Sequence, residues 1–346
     1  MKKGRLCLGI ETSCDDTSVA LVTEEGLVLK QLMASQVKGH RPFGGVVPEL
    51  ASRLHAEALL PLVDEVLNAT STRPEDLDLI AVSSRPGLIG SLLVGVVTAK
   101  TLALGWNKPL VGVNHIHGHI FSPFLQEQNE APEAVDFPFL SLVVSGGHTH
   151  LYLARGFTDV KELGRTRDDA AGEAFDKFSN LLRLGFPGGP HVDRRAQGGD
   201  PKAYSFPRAM MKNENFEFSF SGLKAAAARL VEGLSHPLTE KVQADLCASF
   251  QEAVTDVLLH QLKKAWEKYG VKTLSISGGV SANSRLRQRA QEFCAEKALN
   301  LRIPPLKFCT DNAAMIAFAG GKRAEAGKFS DQSLTPSSSS LSGDFS

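Results

Sequence analysis

Short apolar runs separated by turn-forming residues open the chain and predict β-strands. Residues 6–10 form a continuous apolar run, residues 18–23 alternate apolar and polar positions, and residues 27–31 follow a Glu-Glu-Gly turn. A period of two residues is typical of a strand with one buried face. The chain therefore begins with a predicted antiparallel meander, whose first connection spans residues 11–17.

Longer segments between the next apolar runs have helical spacing. Residues 48–67 carry apolar side chains at every fourth position, and residues 90–104 are rich in small residues that allow close packing. Asn114 is a suitable N-cap for a helix that begins at His115. Strands and helices continue to alternate as far as a last predicted helix at residues 310–327.

A polar, acidic stretch at residues 126–137 is the candidate boundary between two lobes. After it the opening pattern recurs, because residues 139–144 and 150–154 are predicted strands on either side of a glycine turn. We interpret this recurrence as a weak internal duplication. The predicted divisions are an N-terminal lobe (1–130), a C-terminal lobe (131–309), a helix returning to the first lobe (310–329) and a disordered serine-rich tail (330–346).

The charge balance limits how the chain can bind nucleic acid. It has 346 residues, with 38 Lys and Arg against 38 Asp and Glu. A protein that grips nucleic acid alone usually has a basic excess, so a local patch or partner subunits must supply positive charge if nucleic acid is a ligand. Five cysteines without a C-x-x-C pair, and no apolar run of about 20 residues, predict a cytoplasmic protein without a membrane span.

Two histidines four residues apart form the sharpest metal pattern. On a helix, His115 and His119 project from one face, whereas His117 points elsewhere. Asp311 is our candidate third ligand, and two histidines with one carboxylate leave open positions, as in non-haem iron or catalytic zinc sites. The alternative is a surface or helix-capping histidine cluster. A zinc-protease mechanism is excluded, because Ile116 stands where H-E-x-x-H needs its general base.

Glycine turns that follow predicted strands indicate a phosphate-binding site. They lie at residues 145–148, 187–190 and 277–281. Glycine lets backbone N–H groups approach a phosphate without a Cβ in the way. The chain has neither a Walker A lysine motif nor G-x-G-x-x-G, which excludes the P-loop and Rossmann interpretations. Acidic residues crowd the first turn and residues 168–176, where a solvated helix N-terminus is the simpler explanation.

Nine motifs occur in one order along the chain. They lie at residues 10–15, 44–53, 115–119, 144–149, 169–177, 186–190, 218–224, 278–283 and 309–312. Together they resemble the catalytic subunit of the tRNA N6-threonylcarbamoyladenosine synthase, a family once labelled O-sialoglycoprotein endopeptidases. The resemblance covers residues 6–328 and is to the bacterial form.

The resemblance implies an α/β, two-lobed fold of the actin, Hsp70 and sugar-kinase type, with duplicated lobes and a nucleotide cleft between them. It implies that His115, His119 and Asp311 hold one divalent metal, iron(II) first, with zinc or magnesium as alternatives. It also implies a set of substrate-binding residues: Val143, Val144, Ser145, Gly146 and Gly147 along the acyl and phosphate groups, Asp176, Gly189 and Asp193 at the ribose and adenine, and Asn283 at the nucleotide.

The implied reaction moves a threonylcarbamoyl group from L-threonylcarbamoyl-adenylate to tRNA. The acceptor is N6 of the adenosine next to the anticodon, in tRNAs that read codons beginning with adenine, and AMP is released. Asp16 or Glu11 in the first turn is our candidate for the group that takes the amine proton. The implied partners are tRNA, an inactive paralogue and a small ATPase.

The chain departs from the family pattern at three places. His117 stands where many members have Glu, His150 stands where many have Gln, and the serine-rich tail lacks basic residues. Two alternatives share the fold: a phosphotransferase or ATPase acting on a small molecule, and a non-catalytic scaffold. The histidine pair separates them, since a sugar kinase needs Mg²⁺ with a catalytic aspartate and a scaffold is expected to lose the metal ligands.

Overall fold

The computed structural model describes residues 4–127, 134–235 and 237–339. The chain forms two compact units. Unit 1 combines residues 1–135, 156–160 and 304–346, and unit 2 combines residues 136–155 and 161–303. The chain returns to unit 1 at residue 304, ahead of the predicted position 310, because the segment before the last helix buries Phe308 there.

Each unit contains one five-stranded sheet. The strands are β1 (Leu6–Glu11), β2 (Asp16–Thr23), β3 (Val28–Ser35), β4 (Leu79–Arg85), β5 (Leu110–Asn114), β6 (Phe139–Val144), β7 (Thr149–Gly156), β8 (Asp159–Arg165), β9 (Thr273–Ser277) and β10 (Asn300–Arg302). The order is β3-β2-β1-β4-β5 in unit 1 and β8-β7-β6-β9-β10 in unit 2. In both sheets the first strand pairs antiparallel with the next strand and parallel with a later one, which supports the predicted duplication.

Helices cover these sheets. They are α1 (Val37–His40), α2 (Pro48–Ala69), α3 (Ile89–Gly105), α4 (His115–Phe121), α5 (Ala171–Leu181), α6 (Gly188–Ala196), α7 (Ser221–Glu232), α8 (Glu240–Tyr269), α9 (Ser284–Glu296) and α10 (Ala313–Glu325). Within the described residues, none of them has the length and apolar character needed to cross a membrane.

The last helix, α10, packs closely on the sheet of unit 1. A Cβ at Gly9 of β1 would lie 2.8 Å from the Ala317 side chain, and a Cβ at Gly320 would collide with Ala81 of β4. Small residues on both sides therefore allow the helix and the sheet to approach. The side chain of Asn312 caps the helix by accepting the Met315 N–H at 2.9 Å, which fixes the position of the preceding Asp311.

Two elements differ from the sequence-based expectation. Residues 187–190, expected to form a glycine turn after a strand, instead follow α5 and form the start of α6, whose Val192 and Ala196 are buried in the core of unit 2. Tertiary packing on α8 outweighs the poor helix propensity of the segment. Strand β8 was not predicted, because most of its side chains are exposed and give no regular apolar alternation.

The serine-rich segment has defined contacts as far as residue 339, in contrast to the predicted disorder. Ser330 bridges to Leu110 on the edge strand β5, and its Oγ accepts the Gly112 N–H at 2.9 Å. Leu334 packs against the core of unit 1, and the Ser337 N–H donates to the Ser84 carbonyl at 2.9 Å. Backbone pairing with an edge strand gives order where composition predicts none. Residues 340–346 lie outside the described part.

Leu334 therefore anchors this segment, and its replacement tests the packing. Leu334→Ala should lower the free energy of unfolding by about 1–2 kcal/mol, because apolar area on the core becomes exposed. Leu306→Ala removes the same atoms from a side chain that is 66% exposed. This control should change the free energy of unfolding by less than about 0.5 kcal/mol. Denaturant unfolding of the two variants makes the comparison, and equal losses would contradict the packing of this segment.

Candidate metal centre and nucleotide site

The helix that carries the histidine pair begins at a side-chain cap. Asn114 ends β5 in an extended conformation, and its Oδ1 accepts the N–H groups of Ile116 at 2.8 Å and His117 at 3.3 Å. This confirms the predicted N-cap and makes His115 the first residue of α4. His119 lies one turn later, and every residue of the helix is buried.

Two imidazoles and one carboxylate converge in unit 1. His115 Nε2 lies 3.4 Å and His119 Nε2 lies 3.1 Å from the same oxygen, Oδ1 of Asp311. The ligand atoms of the three residues lie within 4.8 Å of one another, and both rings are almost fully buried. The structure therefore brings together the three residues singled out as metal ligands.

A buried carboxylate orients the first histidine from its other side. Glu11 Oε2 lies 2.9 Å from His115 Nδ1, and Glu11 Oε1 accepts the Ser13 N–H at 2.5 Å and the Ser83 hydroxyl at 3.1 Å. The side chain of Glu11 is fully buried. A carboxylate on the second nitrogen of a ligating histidine fixes its tautomer and ring orientation. Sequence reasoning missed Ser83, which is distant from Glu11 in the chain and meets it only in the fold.

The charges around His115 favour a cation at this site. The Nδ1 proton of His115 donates to Glu11, so in a neutral ring the Nε2 lone pair faces an oxygen of Asp311. Burial disfavours a charged imidazole, but the charges of Asp311 and Glu11 outweigh it and raise the pKa of His115 well above its ordinary value. Burial lowers the pKa of His119. A proton or a metal ion therefore balances the carboxylates, and the donor set fits a metal.

His117 does not belong to this ligand set. Its Nε2 lies 2.6 Å from the Phe157 carbonyl oxygen, and its ring packs edge-on against Phe121 with centroids 4.9 Å apart. It points away from its neighbours on α4, as the helical spacing predicts. The other departure from the family pattern, His150, lies on β7 in unit 2. Its Nδ1 is 3.0 Å from the Tyr152 hydroxyl and 3.3 Å from Glu162 Oε2.

Asp16 and Glu11 differ in whether a carboxylate oxygen lacks a hydrogen-bond partner. Asp16 is half-buried at the start of β2, and within the described residues its buried Oδ1 has no hydrogen-bond partner. Burial raises the pKa of Asp16 to about 6, assisted by the negative charges of Asp15, Asp311 and Glu11 against a lowering hydrogen bond from Ser35. Glu11 has both oxygens occupied. Asp16 therefore has the better-placed lone pair for proton transfer near neutral pH.

In unit 2, a turn after β6 exposes backbone rather than side chains. Val143 and Val144 are fully buried in the core, whereas Gly146 and Gly147 are exposed. The turn is closed by hydrogen bonds between Ser145 and His148, with the Ser145 N–H 2.7 Å from the His148 carbonyl oxygen. A ligand at this turn thus meets the peptide groups of Gly146 and Gly147, because residues 143–145 are buried.

Two further glycines pack against this turn. A Cβ at Gly172, in the first turn of α5, would lie 2.5 Å from the Ser145 carbonyl oxygen. A Cβ at Gly278, which has φ +86°, would collide with the Val144 carbonyl oxygen. The ends of β6 and β9 and the start of α5 therefore meet at one place. Both glycines lie inside motifs of the resemblance, but only the fold reveals why a side chain is not tolerated there.

The remaining candidate residues of the nucleotide site either lie at the start of a helix or bind one through a hydrogen bond. Asp176 Oδ1 accepts the N–H of Gly188 at 2.6 Å, at the beginning of α6. Asp193 accepts the N–H and hydroxyl of Ser284 at the beginning of α9, and Asn283 caps α9 by accepting the Leu286 N–H at 3.0 Å. Gly189 has open space where its Cβ would be. These contacts fix the ends of α6 and α9 beside the glycine turns.

Comparison with known proteins assigns the family. The family model described as TsaD, tRNA N6-adenosine threonylcarbamoyltransferase, matches residues 27–318. A tRNA N6-adenosine threonylcarbamoyltransferase of Bdellovibrio bacteriovorus is 50% identical over 339 residues, which are 98% of each chain. One of Kosmotoga olearia is 49% identical over 323 residues, covering 93% of this chain and 94% of that protein.

Solved structures confirm the predicted fold class at low sequence identity. Full-length HypF in a phosphate- and nucleotide-bound form has a TM-score of 0.62 at 12% identity, covering 95% of this chain and 57% of that one. HypF of T. kodakarensis has a TM-score of 0.60 at 16% identity, covering 96% of this chain and 49% of that one. These are actin-like folds, so the likeness supports the predicted architecture.

The glycine contact at Val144 gives a paired test. Gly278→Ala should lower the free energy of unfolding by about 1–3 kcal/mol, because the new Cβ meets a carbonyl oxygen in a left-handed backbone conformation. Gly146→Ala adds the same atom in open space on the adjacent turn after β6, and should leave stability within about 0.5 kcal/mol. Thermal or denaturant unfolding measures both, and a stable Gly278→Ala protein would contradict the close approach.

Proposed function

The chain belongs to the tRNA N6-adenosine threonylcarbamoyltransferase family, and from this premise we propose how its residues perform the reaction. The chain is a transferase that forms N6-threonylcarbamoyladenosine in tRNA. The donor is L-threonylcarbamoyl-adenylate and the acceptor is the adenosine next to the anticodon in tRNAs reading codons that begin with adenine. The observation that carries the chemistry is the convergence of His115, His119 and Asp311 on one point.

The reaction is an acyl transfer from a mixed carbamic–phosphoric anhydride. The adenosine N6 forms a bond to the carbamoyl carbon, the bond from that carbon to the phosphate oxygen breaks, and AMP leaves with the electron pair. The amine proton passes to a base. Because the exocyclic amine of adenine is a poor nucleophile, the enzyme must polarise the carbonyl and position both reactants.

His115, His119 and Asp311 would hold the metal in this proposal. When bound there, a divalent ion supplies polarisation of the carbamoyl carbonyl. Two imidazole nitrogens with one carboxylate favour iron(II) or zinc over magnesium, which prefers oxygen ligands. Glu11 holds the His115 ring through Nδ1 and so keeps Nε2 directed at the metal position.

The glycine turns of unit 2 would hold the donor. The exposed peptide groups of Gly146 and Gly147, with Ser145 at the start of the turn, suit the acyl and phosphate groups. Asp176, Gly189, Asp193 and Asn283 surround the starts of α6 and α9, where a carboxylate can accept hydrogen bonds from ribose hydroxyls. Val143 and Val144 are fully buried, backbone included, so they would support the turn and not contact the donor themselves.

Asp16 is the proposed base for the amine proton. Its unpaired oxygen and its pKa of about 6 leave it mostly ionised at neutral pH and able to accept a proton. Glu11 is the positioning residue for His115, because both of its oxygens already accept hydrogen bonds. This separates the two carboxylates that the sequence alone left as equal candidates.

An exposed apolar face supports a protein partner. Ile89, Leu93 and Val97 are about half exposed and recur every four residues along α3, and Leu104 is 72% exposed near its end. A contiguous apolar stripe on a helix surface marks an interaction site. We assign it to the inactive paralogue, with a small ATPase as the third subunit and a cytoplasmic location for the assembly.

The function itself is tested by reconstitution. The purified chain is mixed with the paralogue and ATPase, unmodified tRNA, threonine, bicarbonate, ATP and a threonylcarbamoyl-adenylate synthase. Digested tRNA is then examined by mass spectrometry for N6-threonylcarbamoyladenosine, with and without this chain. Product that depends on the chain is the expected result. Its absence, where a relative from the family succeeds under the same conditions, would refute the assignment.

The metal ligands are tested by single substitutions. His115→Ala should abolish both stoichiometric metal binding and transfer while the fold is retained, because one of three ligands is lost. His117→Gln removes an imidazole from the same helix outside the ligand set and should keep the metal. Elemental analysis, circular dichroism and the transfer assay measure the outcome. A His115→Ala protein that has no metal but full activity would exclude a catalytic metal.

The base is tested by the pH dependence of transfer. The wild-type rate should fall as pH drops through about 6, because Asp16 must be ionised to accept the proton. Asp16→Asn should reduce kcat by about 10²- to 10⁴-fold and remove this acid limb. Asp15→Asn, at the neighbouring position, should keep the limb. A wild-type profile that persists in Asp16→Asn would assign the proton transfer to another group.

A further inference from the structure

A short loop in unit 1, residues 36–48, presents an aromatic ring to solvent in a positively charged segment. Phe43 is 65% exposed, and the exposed cations Lys38 and Arg41 precede it by five and two residues. Neither cation forms an ion pair within the described residues. Residues 36–48 contain no Asp or Glu, so this segment has a local positive charge in a chain whose net charge is zero. An exposed aromatic side chain in a positively charged segment suits a ligand with flat and anionic parts.

A buried histidine holds the two ends of this loop together. His40 is fully buried, its Nδ1 accepts the Val47 N–H at 3.2 Å, and its Nε2 lies 3.1 Å from Gln36 Oε1. Because Nδ1 accepts, the ring is neutral and Nε2 donates. Gly44 closes the turn with φ +68°, donating its N–H to the Arg41 carbonyl at 3.2 Å. Phe43 therefore lies at the tip of a loop whose ends are joined by hydrogen bonds.

The first residue of the loop, Gln36, is hydrogen-bonded to the turn that carries Asp16, the proposed proton acceptor. The N–H of Gln36 donates to the Asp15 carbonyl at 3.1 Å, and Gln36 Nε2 donates to the Ala51 carbonyl at 3.3 Å. In the pairing of β2 with β3, Asp16 lies opposite Ser35, one residue before Gln36. Asp16 and the loop thus form one hydrogen-bonded block of unit 1.

We propose that Phe43 stacks on an unpaired base of the tRNA anticodon loop, while Arg41 and Lys38 meet the phosphates beside it. This inference rests on the proposed function, because it concerns how the acceptor RNA reaches that block. Unpaired bases of RNA loops are recognised by stacking on aromatic side chains, and phosphates by lysine and arginine. A protein partner fits less well, since the ring stands alone in a segment with two cations, whereas the apolar side chains of α3 form a continuous stripe.

The kinetic test uses the complete complex with varied tRNA concentration. Phe43→Ala should raise the KM for tRNA by about tenfold. The kcat and the KM for the adenylate donor should be unchanged. Phe43→Trp should keep the wild-type KM for tRNA, because tryptophan retains a stacking face. Phe329→Ala is the matched control, since Phe329 is an exposed aromatic of the same unit at 57%. It should leave the KM for tRNA unchanged.

A binding test separates stacking from general attraction. An anticodon stem-loop RNA and a fully paired RNA of equal length are titrated against the complex. Phe43→Ala should weaken the stem-loop alone, whereas Arg41→Ala should weaken both and reduce the salt dependence.

Three outcomes would overturn the proposal. The first two are an unchanged tRNA affinity of Phe43→Ala and an equal loss of its affinity for the two RNAs. The third is a Phe43→Ala complex that loses a partner subunit and not RNA affinity. A wild-type complex that forms no product contradicts the proposed function instead, and the RNA comparison still decides this inference.

Discussion

A buried imidazole held between two carboxylates is the interaction that fixes the arrangement of the candidate metal centre in unit 1. Glu11 ends β1, His115 is the first residue of the capped helix α4, and Asp311 precedes the cap of α10. Distant parts of the chain therefore meet at His115. Buried charges are tolerated only when they are paired at close range. The strand, the capped helix and the returning helix must therefore be positioned to within hydrogen-bond distance. The contact of Gly9 with Ala317 lets α10 come that close.

The two units share one topology but offer different chemical groups. In unit 1 the ends of β1 and β5 present side chains, namely a carboxylate and the imidazoles of α4. In unit 2 the equivalent strand β6 buries its last side chains and presents the peptide groups of Gly146 and Gly147. Side chains bind metals and transfer protons, whereas bare backbone accommodates anions. In the proposed function, one duplicated framework supplies the acid–base and metal-binding side chains in one unit and the nucleotide-binding groups in the other.

Much of this could be predicted where local sequence determines local structure. Strand alternation, the Asn114 cap and the four-residue histidine spacing depend on neighbours in the chain, and the structure confirms all three. The role of Glu11 could not be predicted, because Ser83 and His115 reach it only through sheet pairing. Helix α6 was missed because core packing outweighs its glycines and prolines. The order of residues 330–339 comes from an edge strand more than 200 residues earlier, which composition cannot reveal.

A crystal structure of the protein loaded anaerobically with iron(II), recorded on both sides of the iron absorption edge, tests the central claim most directly. The account predicts one anomalous peak in unit 1, about 2.0–2.3 Å from Nε2 of His115, Nε2 of His119 and a carboxylate oxygen of Asp311, with Glu11 still bonded to His115 Nδ1. A peak bound by other residues, or none at this position in crystals whose protein is active in transfer, would contradict it.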